Sequence, residues 1–123
     1  MNRPIENSYI SRCRYYELKY FCYQYHEWEK EKSKMKIFPG GNFDKNFSDP
    51  TGENAVKLAE LDYKINAVDE CIMEVAPEIY EWLKMCIVDG KSYNVLTAYG
   101  IPCGKEYFYQ RYRLFFSRLN LLL

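Results

Sequence analysis

Long apolar runs are missing from this sequence: none approaches the roughly 20 residues that a bilayer-spanning helix needs, so no transmembrane segment is expected. Met1 to Ile10 is polar, and no signal peptide is expected either. There is no C-x-x-C. The five cysteines, Cys13, Cys22, Cys71, Cys86 and Cys103, are odd in number and widely spaced. That pattern argues against a disulfide framework and for reduced thiols in a cytoplasmic protein. The phosphate cradle G-x-x-x-x-G-K-[ST] is absent, although Gly40 and Gly41 stand together. Histidine occurs once, at His26. Cys22 and His26, four residues apart, would put two ligands on one helix face, but the remaining ligands would have to come from distant cysteines. Nothing marks an activated thiolate with an orienting partner. No metal, no cofactor and no catalytic group is expected, and the chain reads as a binding protein rather than an enzyme.

Net charge is also lacking, with 17 Lys and Arg against 17 Asp and Glu. The balance hides a segregation. Residues 1–36 carry +3, residues 37–90 carry −7, and residues 91–123 carry +4. A neutral chain with a basic C-terminal third still presents a local field to phosphate. What is abundant is aromatic: 18% of residues, with 13 Tyr and seven Phe. Tyr buries a ring while keeping its hydroxyl wet, which suits half-exposed positions and interfaces. At 123 residues, one domain is expected over 1–123.

The periodicity is helical throughout. Residues 8–35 hold no Gly or Pro, and Leu18, Phe21, Cys22, Tyr25 and Trp28 share one face at helical spacing. Tyr9, Tyr16, Tyr20 and Tyr23 make a second stripe on roughly the opposite side. A helix apolar on two sides lies between two partners, here the rest of the domain and a protein interface or second subunit. Residues 36–51 read as a loop through Pro39, Gly40, Gly41 and Pro50, and Asp49 or Thr51 is placed to cap the next helix. Residues 52–90 read as scaffold helices. Leu58, Leu61, Ile65, Val68, Ile72 and Val75 recur at alternating spacings of three and four, which predicts the central core helix of a bundle. Glu60, Asp62, Asp69, Glu70 and Glu74 predict its solvated side. Pro77 suits the first turn of a further helix, which would bury Ile79, Trp82, Leu83, Cys86 and Ile87 and stop at Gly90.

Residues 91–120 carry the functional expectation. Ser92 caps a short helix over Tyr93–Tyr99, Gly100 supplies a left-handed stop, and a longer helix begins near Cys103. Short helix, glycine turn and long helix form a helix-turn-helix layout. Phe108, Tyr112, Phe115 and Leu119 share the core face of the long helix. Glu106, Gln110, Arg113 and Ser117 lie opposite, flanked by Lys105, Tyr109 and Arg111. Gln pairs with adenine edges, Arg with guanine edges, and Lys with phosphate. Lys91 and Ser92 add phosphate contacts at the start of the short helix. The fold expected is all-α, a bundle of four to five helices ending in a helix-turn-helix.

The stretches "YYELKYFCYQYHEW" (15–28), "SDPTGENAVKLAEL" (48–61) and "GIPCGKEYFYQRYRLFF" (100–116) resemble small clostridial phage and prophage proteins similar to the ArpU/RinA-type regulators of phage late transcription. The resemblance implies an all-α protein of the bacterial cytoplasm, with a sigma-region-4-like helix-turn-helix near its C-terminus, that binds double-stranded DNA at a phage promoter. It implies a reading helix carrying Lys105, Tyr109, Gln110, Arg111 and Arg113. The chain departs from the family at Gly104, which weakens the helix start, and at Glu106, an anion on the reading side. A competing expectation is a small phage protein that inhibits a host enzyme by protein–protein binding, in the manner of an anti-CRISPR. Its partner would be a host RNA polymerase or CRISPR nuclease. Such an inhibitor would show a continuous acidic or aromatic patch over residues 53–81.

Overall fold

The computed structural model describes residues 10–36 and 51–123. Tyr9, the glycine pair at 40 and 41, and the cap at Asp49 lie outside the described residues. Every regular element among those described is helical: α1 (Arg12–Cys22), α2 (Tyr25–Lys36), α3 (Thr51–Val75), a 3-10 turn (Pro77–Ile79), α4 (Tyr80–Asp89), α5 (Tyr93–Thr97) and α6 (Lys105–Leu122). The chain is an all-α helical bundle. None of the described helices is long and apolar enough to cross a membrane.

α3 is the axis of the bundle. Leu61, Ile65, Val68, Ile72 and Val75 are buried at the expected alternation, and Ala67 and Cys71 widen the buried face. α2 lies along one side of α3 and α6 along another, while α1 crosses α6 and α4. The core collects Leu18 and Cys22 from α1, Tyr25 and Trp28 from α2, Leu83, Ile87 and Val88 from α4, Leu96 from α5, and Phe108, Phe115, Phe116 and Leu119 from α6.

The aromatic stretch expected as one helix over 8–35 is two. Tyr23 ends α1 with its N–H donated to the Lys19 carbonyl, and Gln24 N donates to Phe21 O. No Gly or Pro forces this turn. One straight helix cannot follow both α6 and α3, and the break lets α1 pack on the first and α2 on the second. Phe21 and Trp28 then meet across the bend with ring centroids 4.8 Å apart. Local propensity would have continued the helix, and tertiary burial overrides it.

The two glycine stops behave as their sequence positions require. Gly90 takes φ 74° and closes α4, with its N–H on Cys86 O and the N–H of Lys91 on Met85 O. Gly100 takes φ 86° between α5 and α6. The helix expected to open at Pro77 starts instead as the single 3-10 turn, with α4 proper beginning at Tyr80. α5 stops at Thr97 rather than Tyr99, and α6 begins at Lys105 with Gly104 as its N-cap.

Candidate nucleic-acid interface

α5 and α6 are pinned to each other by one tyrosine. The Tyr93 backbone N–H donates to the Tyr109 hydroxyl at 3.2 Å, and the Tyr93 hydroxyl donates to the Cys103 carbonyl at 2.6 Å. The Ser92 Oγ accepts from Val95 N at 3.4 Å, so this side chain is spent on capping. The start of α5, with Lys91 and Ser92, therefore sits against the second turn of α6.

On α6 the inward face holds as expected. Phe108, Phe115 and Leu119 are fully enclosed. Tyr112 is half-buried, its hydroxyl 2.6 Å from that of Tyr15. Burial and this hydrogen bond hold the Tyr112 phenol well above its ordinary pKa. The outward face divides in two. Lys105, Glu106, Gln110 and Arg113 are exposed. Ser117, expected beside them, is instead buried at 5% exposure, and so is Phe116 at 3%. The cause is α1: the Arg14 guanidinium reaches Asn120 at 2.7 Å, and the Tyr15 ring packs edge-on against Phe116 at 5.2 Å. α1 thus covers the C-terminal half of the outward face and leaves the N-terminal half open.

The basic residues of this face are not equivalent. Arg111 is turned inward: it donates to the Val75 carbonyl at 3.1 Å, and its guanidinium lies over the Tyr107 ring, 5.0 Å from the centroid. It closes the C-terminal end of α3, where a cation meets the negative end of the helix dipole. Tyr109 is half-buried and holds Tyr93. Two residues assigned to reading DNA are thus occupied by the fold. Lys105, Gln110 and Arg113 remain outward, and none has an ion-pair partner among the described residues. Glu106 stands among them.

Beyond α6 the tyrosines continue. A cleft of about 470 Å³ between α1 and α6 is lined by Ile10, Tyr15, Tyr109, Tyr112, Arg113, Phe116 and Ser117. On its far side Tyr16, Tyr20 and Tyr23 are exposed by 41%, 59% and 37%, so the expected second stripe on α1 faces solvent. The Lys19 ammonium lies 5.7 Å from the ring centres of both Tyr15 and Tyr16. Sequence reasoning assigned Lys19 and Tyr15 no part in a surface. Their signal was their four-residue spacing, one helical turn apart, beside the stripe itself.

About half of the described carboxylates of the acidic middle are taken up. Asp62 pairs with Lys32 at 2.5 Å, and Glu74 with Arg118 at 2.6 Å. Glu78 accepts from the Tyr107 hydroxyl. Asp69 accepts from the Tyr25 and Tyr80 hydroxyls, each at 2.9 Å, with Lys84 3.4 Å away. Cys22 and His26 do not converge: Cys22 is enclosed in the core, while the exposed His26 bonds Asp89 at 2.9 Å and Glu29 at 3.3 Å. Among the described residues no cluster of His, Cys, Asp and Glu is placed to hold a metal ion. No protein-family model, curated protein or solved structure matches the chain.

Proposed function

We propose that the chain binds double-stranded DNA through the open N-terminal half of α6, as a helix-turn-helix transcriptional regulator of the phage type that its sequence resembles. The observation that carries this reading is the selective exposure of α6. On its outward face α1 covers the C-terminal half at Phe116 and Ser117, and the N-terminal half presents Lys105, Gln110 and Arg113. From Lys105 to Arg113 the helix rises about 12 Å at ~1.5 Å per residue, comparable to the roughly 12 Å width of the major groove. A helix that enters the groove by its N-terminal residues needs this division. Gln110 and Arg113 are the base-reading candidates, Lys105 is a phosphate contact, and Lys91 lies beside them at the start of α5. Arg111 and Tyr109 support the helix from behind.

The inhibitor alternative finds less in the structure. Over residues 53–81, Asp62, Asp69, Glu74 and Glu78 are engaged by Lys32, Lys84, Arg118 and Tyr107, while the exposed Glu53, Glu60, Glu70 and Glu81 have no partner among the described residues. The four engaged carboxylates break the continuity that a free acidic strip would need.

The reading is tested by fluorescence anisotropy on duplexes taken from the DNA flanking the chain's own gene, over a series of salt concentrations. Binding should weaken steeply with salt, and one duplex should be preferred. Arg113→Ala should reduce both affinity and preference, while Lys105→Ala should reduce affinity for all duplexes alike. An absence of binding at low salt would remove the duplex reading.

A further inference from the structure

Seven tyrosines form one unbroken chain of ring contacts from α5 through α6 onto α1. Tyr93 meets Tyr109 at 6.5 Å, Tyr109 meets Tyr112 at 5.8 Å, and Tyr112 meets Tyr15 at 6.5 Å between centroids. Tyr15 meets Tyr16 at 5.1 Å, Tyr16 stacks on Tyr20 at 6.3 Å, and Tyr20 meets Tyr23 at 5.6 Å. The inner rings hold the helices together. The outer three, Tyr16, Tyr20 and Tyr23, are exposed, Tyr20 most at 59%, and among the described residues none hydrogen-bonds another helix. At about 100° per residue, Arg12 and Lys19 fall on the same side of α1 as these rings. Arg113 lines the cleft where the chain of rings passes to α6.

The charge on this face is positive. Arg12, Lys19 and Arg113 have no carboxylate partner among the described residues. Two nearby acids are engaged elsewhere: Glu17 pairs with Arg14 at 3.0 Å, and Asp89, next to the Gly90 that Tyr23 approaches, bonds His26; Glu106 stands on the α6 side of Arg113. Flat aromatic faces set among unpaired cations suit stacked bases with their phosphates alongside. We propose that this face binds an unpaired segment of nucleic acid. Its bases would stack on Tyr16, Tyr20 and Tyr23, and its phosphates would lie against Arg12, Lys19 and Arg113. The face adjoins the open half of α6, so a strand separated from a duplex at α6 would meet the tyrosines next.

The test uses the full chain and two fluorescein-labelled probes, an oligothymidylate and a closed hairpin duplex. The oligothymidylate should bind with a strong salt dependence. Tyr20→Ala should weaken that binding roughly tenfold while leaving the duplex unaffected, because a lost stacking platform acts on unpaired bases alone. Tyr20→Phe should restore it, since the ring and not the hydroxyl does the stacking. Tyr20 is exposed, and a thermal melt of each variant checks that the fold is intact. Duplex binding weakened in Lys105→Ala but retained in Tyr20→Ala, with oligothymidylate binding weakened only in Tyr20→Ala, would separate the two surfaces. Failure of the duplex probe alone would overturn the proposal for α6 and leave this one standing. An oligothymidylate that does not bind, or that binds Tyr20→Ala as tightly as the native chain, would overturn the inference and point to a protein partner for the tyrosine face.

Discussion

Arg111 and Arg113 are two residues apart on one helix, and the structure gives them opposite work. Arg111 donates to the Val75 carbonyl at the end of α3 and lies over Tyr107. Arg113 faces solvent. Removing Arg111 deletes a charge-assisted hydrogen bond worth about 1.5–3 kcal/mol and a cation–ring contact worth about 0.5–1 kcal/mol. Against this, its Nε is buried with no partner, so its removal also relieves a desolvation cost. The net loss expected for Arg111→Ala is about 2 kcal/mol. At roughly 3–6 °C per kcal/mol for a chain of this length, that is a fall of about 6–12 °C in melting temperature. Arg113→Ala, a surface change, should stay within about 0.5 kcal/mol of the native chain. Circular dichroism melts of the two variants, set beside their DNA affinities, make the comparison. The expected pattern is crossed: Arg111→Ala loses stability and Arg113→Ala loses DNA binding. An Arg111→Ala protein that melts with the native chain while losing DNA affinity would refute the structural role given to Arg111. It would return that residue to the reading face.

Three further outcomes are expected. Asp69→Ala removes the acceptor shared by Tyr25, Tyr80 and Lys84, and should cost about 2–3 kcal/mol in urea unfolding; an unchanged midpoint would mean the cluster is ornamental. Gly100→Ala should cost about 1 kcal/mol through its φ of 86° alone, since a methyl there meets nothing within 4 Å; a larger loss would indicate a contact that the structure lacks. The Asp69 cluster also sets an alkaline limit. Burial, with Asp69 alongside, pushes Tyr25 up to about 12 and raises Tyr80; at Lys84 burial is outweighed by the Tyr25 hydroxyl and Asp69, so its pKa rises too. All three folded values lie above the unfolded ones, so their contribution is complete below about pH 10 and is lost as pH climbs through the folded values. Melting temperature should therefore fall from about pH 10 upward, and a flat profile to pH 12 would contradict the assignment.

The parts of the fold legible in the sequence are those set by short-range periodicity. The 3–4 alternation from Leu58 to Val75 identified the core helix, with Leu58 half-buried and the rest enclosed, and Gly90 and Gly100 stand at left-handed positions that only their residue type makes inexpensive. Ser92 was recognisable as a cap for the same local reason. What escaped depends on partners far away in the chain. The bend at Tyr23 and Gln24 has no breaker residue and exists because α1 and α2 pack on different helices. Ser117 is polar on a polar face, yet α1, about a hundred residues earlier, covers it. Arg111 read as a DNA contact because its acceptor, the Val75 carbonyl, is invisible in a linear pattern. The candidate site was accordingly half legible. Helical spacing picked out Lys105, Gln110 and Arg113 as outward, and only the packing of α1, α3 and α5 separates them from Tyr109, Arg111 and Ser117.

The central claim is that duplex DNA meets the N-terminal half of α6. An amide-resolved NMR titration of the 15N-labelled chain with a preferred duplex tests it most directly. The account predicts that the largest shifts fall on Lys105 to Arg113 and at Lys91 and Ser92, with the α2 and α3 amides unmoved. Shifts confined to α1 or α3, or no shifts at low salt, would contradict it.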